Sequence, residues 1–262
     1  MEKQIEYKML ISGEQVEAVE GARFEVVNPA NEKVVGSAPR GKTVDADKAI
    51  KSSEKAFKQW KNVPASKRAE LLLDLAKLLD KEKDRLAHML CIEHGKVYKE
   101  AVEEIVGAIG YIVQAAHGAK RIEGDIVPSD FLNEQIWIQK VPYGVTVGLC
   151  AWNFPVALAA RKFGPALAAG NTMVVKPPTD CPLTVIEVGK LALEIGIPPG
   201  VLNIVTGTGN ELGRALVKHP LTRLVSHTGS TEAGQQIIRD SSHYVTDLLL
   251  ELGGNAPFIV MN

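Results

Sequence analysis

The sequence contains few cysteines and few aromatic residues, and neither sign of charge is in excess. Cys91, Cys150 and Cys181 are its three cysteines in 262 residues, and no two of them form a C-x-x-C pair. This spacing argues against a disulfide framework and against a metal site, so we expect reduced cysteines in a cytoplasmic protein. We interpret each of the three as a small buried hydrophobic residue.

Charge and hydropathy exclude further classes. Lys plus Arg number 30 against 31 for Asp plus Glu, which gives no reason to expect nucleic acid or an anionic membrane as partner. No apolar run reaches the roughly 18 uncharged residues of a spanning helix. The amino-terminal stretch MEKQIEYKML is charged and lacks a signal-peptide core. With 45% hydrophobic and 23% charged residues, the composition predicts a globular protein with a substantial core.

The amino-terminal half predicts a scaffold. Residues 5 to 40 are typical of short strands and turns. Apolar periodicity predicts helices over about 45–61, from a cap at Ser66 to about residue 90, and over about 99–117. Residues 122–142 then alternate between polar and apolar side chains, which predicts a two-stranded extended excursion rather than a core strand.

From Gly144 onward, short apolar runs alternate with helical segments. The runs are VTVGLCA, TMVVKPP, LNIVTG, RLVSHTG and DLLLELGG, and the helical segments lie at about 156–169, 183–195, 211–217 and 231–239. Strands joined by crossover helices form a parallel sheet with helices on both faces. The sequence therefore predicts an α/β, Rossmann-like fold.

A polar or glycine-rich stretch follows each predicted strand. Ligands of an open parallel sheet bind beyond the carboxyl ends of its strands, so we expect these stretches to line one rim. In chain order they are Trp152-Asn153-Phe154-Pro155, Lys176-Pro177-Pro178-Thr179, Gly207 to Gly213, Thr228 to Gly234, and Glu251-Leu252-Gly253-Gly254.

Each stretch also has an ordinary structural interpretation. The loop containing Gly209 and Gly213 misses the dinucleotide fingerprint by one position and is, taken alone, more often a tight turn. Gly229-Ser230 can bind phosphate or simply cap a helix. Lys176 can meet ribose or phosphate or remain solvated, and the Asn153 amide can serve backbone carbonyls or a developing oxyanion.

Two further features are weighed on the residues alone. His219 and His227 have no nucleophile partner that the sequence identifies, so we interpret both as structural. Glu251 ends an apolar run, where an ionised carboxylate is costly unless it is paired or functional.

Taken together, the motifs resemble the aldehyde dehydrogenase superfamily over essentially the whole chain. The matching segments, in the same order and spacing, are AWNFP (151–155), KPPTDCP (176–182), GTGNELG (207–213), HTGSTEAG (227–234) and ELGGNAPFIV (251–260). The resemblance implies NAD or NADP as cofactor, a small aldehyde as substrate and a homo-oligomer, a dimer or tetramer. It also implies a cofactor-binding domain from residues 1–121 and 144–262, with an oligomerisation arm at 122–143.

The resemblance also assigns roles to matching positions. Asn153 is expected to help hold an oxyanion, and Glu251 to act as the base that activates water, which is typical of the non-acylating branch. Lys176 is expected to bind ribose, Ser230 to contact the pyrophosphate, and Gly253 to leave room for the nicotinamide. The remaining expected cofactor residues are Trp152, Thr179, Gly209, Gly213, Gly229 and Leu252.

Two departures from the family pattern matter. Ala151 replaces the usual proline before WNFP. The family's nucleophilic cysteine lies well beyond the matching glutamate, and no cysteine follows Glu251, so we expect it and its catalytic domain to be absent from these residues. The alternative to the cofactor-binding part of an enzyme is a non-catalytic nucleotide-binding or assembly module. The surrounding sequence is most similar to the lactaldehyde, glycolaldehyde and succinate-semialdehyde group. Because Thr179 is neutral, small and able to donate a hydrogen bond, we expect NADP to bind within about tenfold of NAD.

Overall fold

The computed structural model describes residues 5–261. Its strands are β1 (Ile5–Glu6), β2 (Met9–Ile11), β3 (Glu14–Val16), β4 (Arg23–Val27), β5 (Val34–Pro39), β6 (Asp125–Pro128), β7 (Gln135–Ile138), β8 (Val145–Leu149), β9 (Thr172–Lys176), β10 (Leu202–Ile204), β11 (Thr222–Thr228) and β12 (Asp247–Glu251). Its α-helices are α1 (Thr43–Trp60), α2 (Ala65–Lys81), α3 (Lys83–His94), α4 (Tyr98–Ala119), α5 (Pro155–Ala168), α6 (Leu183–Glu194), α7 (Arg214–Val217) and α8 (Thr231–Ser241). None of these helices is both long and apolar enough to cross a membrane.

The main sheet has seven strands in the order β12-β11-β8-β9-β10-β2-β3. The five strands from β8 to β12 run parallel, which confirms the predicted α/β, Rossmann-like fold. The amino-terminal strands β2 and β3 extend this sheet in antiparallel direction, with Leu10 opposite Ile204. Sequence periodicity identified these two strands but not their sheet, because pairing between distant segments leaves no local pattern.

Helices cover both faces of the sheet and bury two apolar clusters. One cluster joins α2, α4 and α5 through residues such as Leu72, Ile105 and Phe163. The other joins α1, α7 and α8 to the sheet through residues such as Ile50 and Leu216. All residues of β8 and β9 are buried, as expected for central strands of a sheet covered on both faces.

Three helix boundaries differ from the sequence prediction. The single helix predicted to run from Ser66 to about residue 90 is two helices, α2 and α3, because Glu82 leaves helical geometry at φ −90° and ψ 3°. Ser66 is not the cap, since Pro64 holds that position and its fixed φ suits a helix start. The segment predicted as a helix at 211–217 begins with a π-helical turn, Gly209–Gly213, before α7.

The predicted excursion at 122–142 is a two-stranded antiparallel ribbon of β6 and β7. Ile126 and Trp137 are cross-strand partners in it, and they are 65% and 63% exposed. Apolar side chains so exposed on a ribbon of two strands indicate a surface suited to a partner.

Candidate functional site

The cross-strand register brings the carboxyl ends of the parallel strands together. Lys176 of β9 lies beside Leu149 of β8, which lies beside His227 of β11. Paired residues of adjacent strands point to the same face, so Lys176 and His227 face the same helices. Thr228 and Glu251 pair one step further along and point to the opposite face. The rim therefore has two sides with different side chains.

A cavity of about 190 Å³ lies on the Lys176 side, between the sheet, the glycine loop, α7 and α8. We call it the α8 cavity. Val217 and Ile237 form its apolar walls. Asp240 and Arg214 also line it and form an ion pair, with 2.8 Å between the Arg214 Nε and the Asp240 Oδ2. Among the predicted cofactor residues, Lys176, Gly209 and Gly213 line it.

Lys176 is buried at the end of β9, with 6% of its surface exposed. Its Nζ donates to the Pro177 carbonyl oxygen at 2.8 Å, which leaves two N–H groups for a ligand. Burial lowers the pKa of Lys176 to about 8, since the surrounding protein disfavours the charged form. A buried cation of this kind gains most from an anionic or hydroxyl-bearing ligand, so the solvated-lysine interpretation does not describe it.

The glycine loop leaves space next to Lys176. A Cβ on Gly213 would meet the Lys176 Cδ at 3.8 Å, and a Cβ on Gly209 would meet no atom within 4 Å. The Thr179 Oγ1 donates to the Gly207 carbonyl oxygen at 3.1 Å, which fixes the loop after β9 against the loop after β10. The hydroxyl of Thr179 can donate a hydrogen bond, as expected from the sequence, and in this structure it gives its hydrogen to the Gly207 carbonyl.

The amino terminus of α8 begins at the same rim. Ser230 is the N-cap, and its Oγ accepts from the Ala233 backbone N–H at 3.1 Å. Because a hydroxyl that accepts this bond still carries its own hydrogen, Ser230 can cap the helix and donate to an anion. The cap and phosphate interpretations are thus compatible. Ala233 lines the α8 cavity one turn further on.

Strand β12 is an edge strand, and Glu251 at its end is exposed. Among residues 5–261, β12 has a hydrogen-bonded neighbour on one side only, so the apolar run that ends at Glu251 is an exposed edge strand and not the buried strand that such a run suggests. Leu252 packs on α8 next to Gly234. A Cβ added to Gly234 would lie 2.7 Å from the Leu252 Cδ2. Gly253 is exposed, and a Cβ on it would have the Thr231 Oγ1 at 3.9 Å as a neighbour.

Lys162 is a site residue that the sequence reasoning missed. It lies on α5, is buried, and donates from Nζ to the Thr228 Oγ1 at 2.8 Å and to the Ser226 Oγ at 3.2 Å. With Glu251 it lines a cavity of about 300 Å³, which we call the β12 cavity. Burial lowers the pKa of Lys162, while the nearby Glu251 charge acts to raise it. The available signal in the sequence was a pair of cations, Arg161 and Lys162, in an otherwise apolar helix.

The loop after β8 is held by the last residue of α3 and by the turn that follows this helix. The His94 Nε2 lies 2.9 Å from the Trp152 carbonyl oxygen, and the Lys96 Nζ donates to the Asn153 carbonyl oxygen at 2.9 Å. The Cys181 Sγ contacts the Trp152 carbonyl at 3.7 Å. With these backbone contacts in place, the side chains of Trp152 and Asn153 are exposed at the rim. Neither belongs to the lining of the α8 cavity.

The two histidines that the sequence left as structural differ in their surroundings. The His219 Nε2 lies 3.3 Å from the Asp47 Oδ1, and its Nδ1 accepts from the Leu221 backbone N–H. His219 therefore ties the α7–β11 connection to α1. His227 lines the α8 cavity, and neither of its ring nitrogens has a hydrogen-bond partner in residues 5–261.

Curated relatives match nearly the whole chain. The 3,6-anhydro-alpha-L-galactose dehydrogenase of Vibrio sp. (strain EJY3) is 48% identical over 97% of this chain and 53% of its own length. The succinate-semialdehyde dehydrogenase [NADP(+)] of Escherichia coli (strain K12) is 40% identical over 97% of this chain and 52% of its own length. The chain thus spans about half the length of the curated relatives it matches.

Solved structures give the same result. A 3,6-anhydro-L-galactose dehydrogenase in complex with NADP superposes with a TM-score of 0.95 at 48% identity, over 98% of this chain and 54% of that one. A lactaldehyde dehydrogenase superposes with a TM-score of 0.95 at 38% identity, over 97% and 54%. The profile of the Aldehyde dehydrogenase family matches residues 16–262. On this match, the identities above and the shared fold, the chain belongs to the aldehyde dehydrogenase family.

Proposed function

We propose that these residues supply the NAD(P) site and the base of an enzyme that oxidises a small aldehyde to a carboxylic acid. The whole reaction consumes an aldehyde, NAD(P)⁺ and water and yields a carboxylate, NAD(P)H and two protons. The observation that carries the proposal is the α8 cavity. The buried cation Lys176, the glycines Gly209 and Gly213 and the amino terminus of α8 meet there. Bound nicotinamide would supply the hydride acceptor.

The α8 cavity fits a dinucleotide in its chemistry. Its apolar walls at Val217 and Ile237 suit the face of a purine, and Lys176 suits ribose hydroxyls or a phosphate. The positive end of α8, with the Ser230 hydroxyl, suits the pyrophosphate. We assign Gly229, Leu252, Gly253, Trp152 and Thr179 to the same ligand because they lie on the rim around this cavity or on the loops that shape it.

The other side of the rim supplies the groups for proton and charge transfer. The exposed Asn153 amide carries two N–H donors that can stabilise an oxyanion on the aldehyde carbon. Glu251 lines the β12 cavity, where its carboxylate can take a proton from water that attacks an acyl group. Lys162 lies in the same cavity, where the negative charge of Glu251 acts to raise the pKa of the lysine.

The domain boundaries are part of the same proposal. Residues 1–121 and 144–262 are proposed as one cofactor-binding domain, and residues 122–143 as an arm that pairs subunits. Phe131 and Leu132 at the tip of the ribbon are 74% and 103% exposed, which suits burial against a second copy.

The semialdehyde and glyceraldehyde names among the relatives support a small polar aldehyde as substrate. We place the reaction in the cytoplasm because the cysteines are all free.

The proposal is tested by titrating NADPH into the purified protein and following its fluorescence. We expect saturable binding, and about tenfold weaker binding by Lys176→Met, because that variant removes a buried charge-assisted contact. Lys77→Met is the matched control, since the Lys77 side chain is 77% exposed on α2 and should leave binding unchanged. Absence of binding by the unaltered protein, or equal binding by Lys176→Met, would contradict the proposal.

A further inference from the structure

We propose that His227 is a cofactor-binding residue, and that its imidazole N–H donates to a phosphate oxygen held at the amino terminus of α8. The inference rests on the proposed function and extends it to a residue that the motif resemblance left without a role. Three independent observations carry it: the face on which His227 lies, the residue its ring touches, and the absence of a hydrogen-bond partner for its nitrogens among residues 5–261.

The first observation is the face. His227 pairs with Leu149, and Leu149 pairs with Lys176, so the two polar side chains lie at one level across three adjacent strands. Both line the α8 cavity. A ligand that reaches Lys176 in this cavity therefore passes over or beside the imidazole of His227.

The second observation is the contact with Gly229. A Cβ on Gly229 would lie 2.6 Å from both the Cε1 and the Nε2 of His227, which is too close for any side chain. The Cε1–Nε2 edge of the ring is therefore packed against the turn that leads to Ser230, the N-cap of α8. Glycine at 229 is required for the ring to occupy this place.

The third observation is the missing partner. His227 is 8% exposed, and both Nδ1 and Nε2 lack a hydrogen-bond partner among the described residues. A buried polar group left unpaired costs on the order of 1–3 kcal/mol. An apolar ring of similar size would avoid that cost, so the histidine is best explained by a partner that arrives with the ligand.

The surrounding charges indicate what that partner is. Lys162 from α5 and Lys176 from β9 act on the ring, and burial together with these two cations lowers the pKa of His227 to about 4. Asp240 and Arg214 also line the cavity, but they are bound to each other. The ring is thus neutral and carries one N–H donor in a region of positive potential at a helix amino terminus. A phosphate group satisfies the donor and offsets the cations, whereas a neutral ribose hydroxyl satisfies only the donor.

The test compares ligands that differ in their phosphates. His227→Phe keeps a buried ring and removes the donor, and His243→Phe, at an exposed histidine of the 242–244 turn, is the control. Dissociation constants are measured by titration of NADPH and by its displacement with ADP and with adenosine. We expect His227→Phe to weaken NADPH and ADP by about tenfold and adenosine by less than about twofold. His243→Phe should change none of the three.

A second measurement needs no variant. The imidazole nitrogens of His227 are followed by nuclear magnetic resonance in the unaltered protein while ADP or adenosine is added. We expect the pKa of His227 to rise with ADP and to stay constant with adenosine, because only a phosphate stabilises the protonated ring.

Each result separates the two proposals. If the unaltered protein does not bind NADPH, the proposed function fails and this inference falls with it. If it binds but His227→Phe loses nothing, or loses ADP and adenosine equally, the function stands and the phosphate contact of His227 is refuted. If the pKa of His227 stays constant when ADP is added, the phosphate contact is refuted as well.

Discussion

The Glu104 carboxylate on α4 accepts a hydrogen bond from the Val156 backbone N–H at 2.8 Å, and a second from Ala157 at 3.2 Å. These N–H groups belong to the first turn of α5, where they have no intrahelical acceptor. Lys96 pairs with the same carboxylate, and the Lys96 and Glu104 side chains are 6% and 0% exposed. The amino-terminal helices thereby fix the start of α5, which directly follows the loop that carries Asn153.

We expect Glu104→Ala to lower the free energy of unfolding by about 3–5 kcal/mol, because it leaves Lys96 buried without its partner and two helix N–H groups without an acceptor. Glu103→Ala is the matched control, since the Glu103 side chain is 64% exposed and should change stability by less than about 0.5 kcal/mol. Urea unfolding followed by circular dichroism measures both. Equal stability of the two variants would contradict a structural role for the carboxylate.

The low pKa of Lys176, about 8, predicts that nucleotide binding weakens in mild alkali. The cation is present below pH 8 and lost as pH rises through that value, so the dissociation constant of NADPH should increase between pH 7.5 and about 9.5. The unfolded chain binds this proton more tightly, so the deprotonation of Lys176 by itself stabilises the fold over this range and does not account for a loss of binding through unfolding. In fluorescence titrations, the dissociation constant of Lys176→Met should not vary with pH over this range. Lys77→Met should show the same pH dependence as the unaltered protein.

Local sequence patterns sufficed for the fold class because each βα unit is specified by residues close together in the chain. The rim residues could be predicted for the same reason, since parallel strands place their carboxyl ends at one edge. Lys162 and Glu104 could not, because their importance comes from contacts with residues far away in sequence. His227 illustrates the limit most clearly, since a histidine inside a strand is ordinary until the structure shows that no neighbour in the described part of the chain pairs with either nitrogen.

The cysteines predict that these 262 residues alone do not oxidise aldehydes, even though they bind NADPH. Burial raises the pKa of Cys150 to about 11 and also raises that of Cys91 and Cys181, so none is a thiolate at neutral pH. We expect no NADPH formation at 340 nm from NADP⁺ and succinate semialdehyde, and no change when the three cysteines become serine. Activity that a thiol reagent abolishes would show that one of them is the nucleophile.

The environment of Thr179 predicts tolerance of NADP. A carboxylate beside the ribose favours NAD, because it accepts from the ribose hydroxyls and repels a 2′-phosphate. Thr179 is neutral, and its hydroxyl is engaged by the Gly207 carbonyl, so the positive charge of Lys176 is left for the phosphate. We expect NADP to bind within about tenfold of NAD.

Replacing Thr179 tests that reasoning with the charge as the only difference. Thr179→Glu and Thr179→Gln both lose the bond to Gly207 and have the same size, but only the first adds a negative charge. One repulsive contact at partial burial costs on the order of 1 kcal/mol or more, so Thr179→Glu should shift the NADP to NAD affinity ratio about tenfold toward NAD. Thr179→Gln should leave the ratio within about twofold of the unaltered protein. Titrations monitored by tryptophan fluorescence, with the exposed Trp152 as reporter, give both ratios. A preference of the unaltered protein for NAD far beyond tenfold would mean that another residue excludes the phosphate, and the role given to Thr179 would then be wrong.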